Sequence, residues 1–183
     1  LELDDAQLAC PVQDWLKQLR QDKDGVLWQV HLQAEALQRD GLWQCRPLLQ
    51  PWLAAVLSAA AGQPVRQFIV APDGDLCLPA LAAGDAQLIL QQLLRAYLQG
   101  QQQPLPFALT LASVLLQSKA DDKQLQKLQL LYEGSAFSAG LLGQNAYLRR
   151  AFASFDAFWQ PELSPLLATQ LLGPLLEVLQ QTA

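Results

Sequence analysis

Residues 26–37, VLWQVHLQAEAL, followed by Arg39-Asp40-Gly41 and then 42–46, LWQCR, decide the fold class. Val26, Trp28, Val30 and Leu32 alternate with Leu27, Gln29, His31 and Gln33. A period of two belongs to a strand, because successive side chains leave a pleated backbone on opposite faces. Asp-Gly tolerates the positive φ that a tight hairpin needs, so the strand is expected to turn there and return along residues 41–46.

Upstream, Val12, Trp15, Leu16 and Leu19 fall at helical spacing, and a helix is expected over the first twenty residues, closed by the polar turn 21–25. Downstream, Leu49, Trp52, Leu53, Val56, Leu57 and Ala60 recur every three or four residues. Pro47 and Pro51 suit the start of that helix, and Gly62 stands where a C-terminal cap belongs. Residues 65–70 are apolar and β-branched enough for a strand. Pro72-Asp73-Gly74-Asp75 turns that strand back into Leu76-Cys77-Leu78. Helices and hairpins in alternation predict a mixed α/β domain with a small central sheet flanked by several helices.

The rest of the chain reads as mostly helical. Asp85 is placed to cap a helix whose face is Leu90, Leu93, Leu94, Tyr97 and Leu98, ended by Gly100. Residues 101–107 must be extended, because two prolines fix φ and restrict their neighbours. Helices are expected near 110–117 and 121–132, with a loop over the Gly- and Ser-rich 134–143. Short helical pieces then lead to a tail with Leu167, Leu171, Leu175 and Leu179 on one face, kinked or split at Gly173-Pro174. No internal repeat or low-complexity linker interrupts 1–183, so one domain is expected. The chain starts at Leu1 and contains no Met, which reads as a fragment cut from a longer polypeptide.

Composition narrows the function classes. Hydrophobic residues make up 51% and charged ones 16%, with 41 Leu and 27 Gln. The charged share is usually about 25%, so either lineage-dependent Leu/Gln usage or apolar surface meant for a partner explains the deficit. Net charge is −5 and the 12 Lys and Arg are scattered. Only Arg149-Arg150 adjoin, and Lys119, Lys123 and Lys127 form a mild helical stripe, so autonomous tight DNA binding is not expected. No signal-peptide pattern or run of about 18 apolar residues is present. Cys10, Cys45 and Cys77 are widely spaced and odd in number, which fits free cytoplasmic thiols rather than a disulfide framework or a zinc site.

Candidate chemistry is sparse. His31 is the only histidine, no Gly-x-Ser-x-Gly elbow accompanies it, and a structural role is favoured over catalysis. Asp73 and Asp75 flank Gly74, but no Glu follows in the register of a calcium loop, and a hairpin turn is the simpler reading. Glu133-Gly134 lacks the Lys-Ser or Lys-Thr pair of a phosphate cradle. Trp15 and Trp52 fall on apolar helical faces and read as core. Trp28 and Trp43 can pair across the first hairpin, and stacking of one tryptophan on a nucleic-acid base stays open.

An ordered series of segments carries a resemblance. It begins with Trp52-Leu53 in the helix near 51–61 and the 85–100 helix leading into Pro104-Leu105-Pro106-Phe107. Tyr132-Glu133-Gly134, the segment from Tyr147 to Phe152, Phe155-Asp156 and Gly173-Pro174-Leu175-Leu176 follow. In that order the chain, from about Asp22 to Leu179, resembles the C-terminal domain of the exodeoxyribonuclease V gamma subunit, the RecC family of the RecBCD helicase–nuclease.

The resemblance implies a restriction-endonuclease-like fold that has lost its active site. An active member of that nuclease class holds Mg²⁺ with acidic residues on two neighbouring strands and a Lys beside them. Here Glu35, between Ala34 and Ala36, is the vestigial position, while residues 42–47 supply neither carboxylate nor Lys. No catalytic or metal-binding residue is therefore expected, and no cofactor: ATP and Mg²⁺ belong to the other subunits. The partners implied are the beta and alpha subunits, and double- and single-stranded DNA within the complex, with no membrane. Arg149 and Arg150 are the candidate phosphate or acidic-partner contacts, or else a solvated structural pair. The alternatives are a Mg²⁺ nuclease with displaced ligands among Glu35, Asp40 and Asp73, or an unrelated Leu-rich interaction module.

Overall fold

The computed structural model describes residues 15–120 and 123–182. Contacts divide the chain into two compact units, one taking in residues up to Gln99 and from Pro174 onward, the other Gly100–Gly173. The architecture is mixed α/β, with small sheets and several helices.

In the first unit, β1 (Arg20–Gln21), β2 (Leu27–Leu32), β5 (Val65–Ala71) and β6 (Gly74–Leu78) form a sheet in the order β1-β2-β5-β6. β3 (Gln38–Arg39) and β4 (Leu42–Trp43) form a separate two-stranded ribbon. Helix α1 (Cys45–Ala60) crosses between β2 and β5, which run parallel, as strands joined by a crossover can. β5 and β6 are the expected antiparallel hairpin. Most of the expected helix over the first twenty residues lies outside the described residues. From 15 onward the chain is irregular and then joins β2 as a strand, and Trp15 is 79% exposed rather than core.

The expected long hairpin does not form. The Asp40-Gly41 turn is real, with φ +52° and +74°, yet it joins only the two-residue strands β3 and β4. β2 stops at Leu32 and finds its long partner in β5, from Leu27↔Val65 to Leu32↔Val70. A turn dipeptide fixes where the chain reverses but not how far the pairing extends. The Trp28–Trp43 pair is likewise replaced: Trp28 meets Phe68 edge-on at 6.0 Å.

The alternation is present, and the more polar of its two faces packs inward. On the side packed against α1, β5 buries Val65, Gln67 and Ile69, and β6 buries Leu76 and Leu78. In register with them β2 presents Leu27, Gln29 and His31. The more apolar set, Trp28, Val30 and Leu32, points the other way.

Helix α1 carries the core of this unit through Leu48, Trp52, Ala55, Val56 and Ala59. It begins at Cys45, so Pro51 lies inside it and removes the N–H that the Pro47 carbonyl would accept. The Gln33 side chain supplies the missing donor, Nε2 to the Pro47 oxygen at 2.8 Å. Gln33→Ala is therefore expected to cost about 1–2 kcal/mol in denaturant unfolding, the price of a partly buried orphan carbonyl. At its other end Gly62 (φ +77°) closes the helix, its N–H donating to the Ala59 carbonyl while Gln63 N–H reaches Ser58. Helix α2 (Ala83–Gln102) starts two residues before Asp85, which therefore sits in its first turn, and it runs two residues beyond Gly100.

The second unit contains α3 (Leu109–Gln117), α4 (Gln124–Glu133), the hairpin β7 (Gly134–Ser135) and β8 (Ser138–Ala139), and short helices α5 (Leu141–Gln144), α6 (Ala146–Ala151) and α7 (Phe155–Phe158). The expected loop at 134–143 is thus a hairpin and one helical turn. Asn145 caps α6, its Oδ1 accepting from Tyr147 and Leu148 N–H at 3.0 Å each. The core is Leu111, Leu128, Tyr132, Phe155 and Phe158. Helix α8 spans Leu163–Thr182 with Pro174 inside it, where a kink or split was expected, and buries Leu167, Leu172, Leu175, Leu176 and Leu179.

Candidate functional site

Glu35, the vestigial position, lies exposed in the bend after β2 rather than on a strand. Residues 42–47 do not pair with β2, so no sheet brings that segment opposite Glu35. A cleft of about 400 Å³ opens nearby between Gln38, Arg39, Asp40, Trp43, Asp73 and Asp75. Asp73 does not face it as a free ligand. Its Oδ1 accepts from Leu37 N–H at 2.8 Å and its Oδ2 from Gln38 N–H at 2.9 Å, pinning β3 to the β5–β6 turn. Among the described residues no group of three or more His, Cys, Asp or Glu is placed to hold a metal ion.

The same two amides, Leu37 first and Gln38 second, hold the Asp73 carboxyl below its ordinary value of 3.8. A depressed pKa contributes stability that is present above 3.8 and lost as pH falls through the folded value. Exchange of the Leu37 and Gln38 amides, relative to their intrinsic rates, is expected to rise when pH drops below that window. Asp73→Asn is expected to abolish most of the pH dependence.

His31 is structural. Its Nε2 lies 2.7 Å from Gln67 Oε1, an acceptor, so that nitrogen carries the proton. Gln67 is fully buried on β5, and the pair satisfies two polar side chains on the α1 side of the sheet. Arg149 and Arg150 lie exposed in the last turn of α6. There their charge suits the helix C-terminus, as well as an outside anion.

Two features went unrecognised in the sequence. One is a clamp joining the Tyr132-Glu133-Gly134 segment to the segment after α6. Tyr132 Oη donates to the Phe152 carbonyl at 2.8 Å, and Glu133 Oε1 accepts from Phe155 N–H at 2.9 Å. The other is the sheet face turned away from α1, where Val30, Leu32, Phe68 and Val70 stay exposed. The signal was available: Gln29, His31 and Gln67 are in phase with one another and out of phase with the apolar set.

The family model described as the RecC C-terminal domain matches residues 1–120. The chain belongs to that family. The match spans the open sheet, α1, α2 and Pro104-Leu105-Pro106-Phe107, whereas the Tyr132 clamp and Arg149-Arg150 lie beyond it. No curated protein matches the chain. Membership of the RecC family implies a place in the RecBCD complex. Among the described residues no helix is long and apolar enough to cross a membrane.

Proposed function

We propose that this RecC-type domain is a non-catalytic scaffold and DNA-channelling part of the ATP-dependent exodeoxyribonuclease V complex, acting in the cytoplasm in recombinational repair of double-strand breaks. The observation that carries the reading is the family match over a sheet whose apolar face lies open. A net charge of −5 fits a domain that meets DNA inside an assembly rather than alone.

On this reading the nuclease-type sheet serves as architecture, with Glu35 left over at its margin. The beta and alpha subunits supply ATP and Mg²⁺ chemistry, and this domain helps shape the region where the duplex is parted and its single strands are led away. Arg149 and Arg150 contact a phosphate or an acidic partner surface. The test is incubation of the chain with linear duplex and single-stranded DNA while Mg²⁺ or Mn²⁺ is titrated. No cleavage and an unchanged melting temperature are expected. Metal-dependent cleavage abolished by Glu35→Gln or Asp40→Asn would overturn the reading in favour of displaced ligands.

A further inference from the structure

The open face of the sheet is ordered along the strands. At one end Arg20 and Arg66 stand on either side of Trp28. In the middle Val30, Phe68 and Cys77 are neighbours, and beyond them come Leu32, Val70 and Asp75. Leu32 is 80% exposed, Val30 41%, Val70 40% and Phe68 38%. Parallel pairs such as β2–β5 are ordinarily covered on both faces, and apolar residues exposed together mark a contact surface. A groove of about 360 Å³ runs between Trp28, Val30 and Phe68 with Asp22 and Arg66 at its rim.

At that end two guanidinium groups, Arg20 and Arg66, stand against the one carboxylate of Asp22, so the net charge there is positive. Asp22 Oδ1 already accepts from Asp24 and Val26 N–H at 2.9 Å each, while neither Arg20 nor Arg66 has an ion pair among the described residues. The four residue steps from Trp28 to Leu32 span roughly 13 Å, about nine residues of helix. A polyanion backbone is disfavoured, because the middle is apolar and Asp75 closes the far end.

We propose that this face seats an amphipathic helix of a partner subunit, with an apolar stripe of two to three turns (roughly nine residues) and carboxylates at the end meeting Arg20 and Arg66. The inference rests on the scaffold reading and adds the surface and the chemistry of its occupant.

Phe68→p-benzoylphenylalanine in the chain, photolysed after mixing with the beta and alpha subunits, tests it. The expected product is a crosslink to an acidic, helical peptide of one of those subunits. Its yield should fall about tenfold with Arg20→Glu and Arg66→Glu together, and stay unchanged with Arg149→Glu and Arg150→Glu. A crosslink to residues 1–14 of the same chain, a crosslink to a second copy, or none while the subunits co-purify overturns the proposal. Subunits that fail to co-purify at all defeat the scaffold reading itself, and the proposal with it.

Discussion

Tyr132→Ala is expected to lower stability by about 4 kcal/mol, the largest effect of any single truncation in the second unit. The ring is fully buried between Phe155 at 5.9 Å and Phe158 at 4.8 Å, and Leu111 and Leu128 complete the cluster. Removing it opens a cavity among α3, α4 and α7 that these short helices cannot close without breaking their own hydrogen bonds. By thermal unfolding, a loss of that size lowers the melting temperature by roughly 10 °C. Tyr132→Phe keeps the packing and loses only the bond to the Phe152 carbonyl, so about 1–2 kcal/mol is expected. A Phe variant as damaging as the Ala variant would contradict this division between ring and hydroxyl.

The hydroxyl also sets an alkaline limit. Burial, and secondarily the neighbouring Glu133 carboxylate, push the Tyr132 phenol from 10.0 up to about 12. A raised pKa gives stability that is complete below pH 10 and lost as pH climbs toward 12. Alkaline unfolding in that window should be shallower in Tyr132→Phe.

Gly140→Ala is expected to cost roughly 3 kcal/mol, as overpacking against backbone rather than against a movable side chain. A Cβ there would overlap the Gly134 nitrogen and the Tyr132 carbonyl oxygen. Gly134 is confined in turn, at φ +90° and ψ −168° with Gly140 N in the way of any side chain. The pair lets β7 and β8 close directly on the end of α4, so the hairpin follows Tyr132 without a linker. Amide exchange across 132–141 should accelerate in Gly140→Ala, while Gly143→Ala, whose nearest neighbour is the Ala139 methyl at 3.0 Å, should be milder. Equal effects at the two positions would contradict the close-approach argument.

What the sequence disclosed and what it withheld follow from the range of the forces involved. α1, β5, β6 and α2 were legible because apolar spacing and turn chemistry are local. Their ends drifted where a distant partner decides them: Gln33 lets α1 carry Pro51 inside, a substitution of donor no periodicity displays. The β2–β5 pairing was not legible, since a turn dipeptide beside β2 argues for the neighbour in sequence while the crossover through α1 brings another strand. The facing of β2 has the same origin. Trp28, Val30 and Leu32 are the residues hydrophobicity would bury, and a surface meant for contact obeys the same rule with its partner taken away.

The site was legible only by elimination. Absence of a Lys and a second carboxylate around residues 42–47 could be read directly, but Glu35 proved to lie in a bend, because the strand expected to carry it ends at Leu32. The segments near Tyr132 and Phe152 clasp each other, which accounts for the Tyr132 hydroxyl and the Glu133 carboxylate without any chemistry.

The most direct test of the account is the native mass of the chain mixed with the beta and alpha subunits of exodeoxyribonuclease V. A species heavier than the two subunits by the 20.2 kDa of the chain is expected, and it should disappear with Val30→Asp and Phe68→Asp together. Subunits and chain running separately at micromolar concentration would contradict the scaffold role.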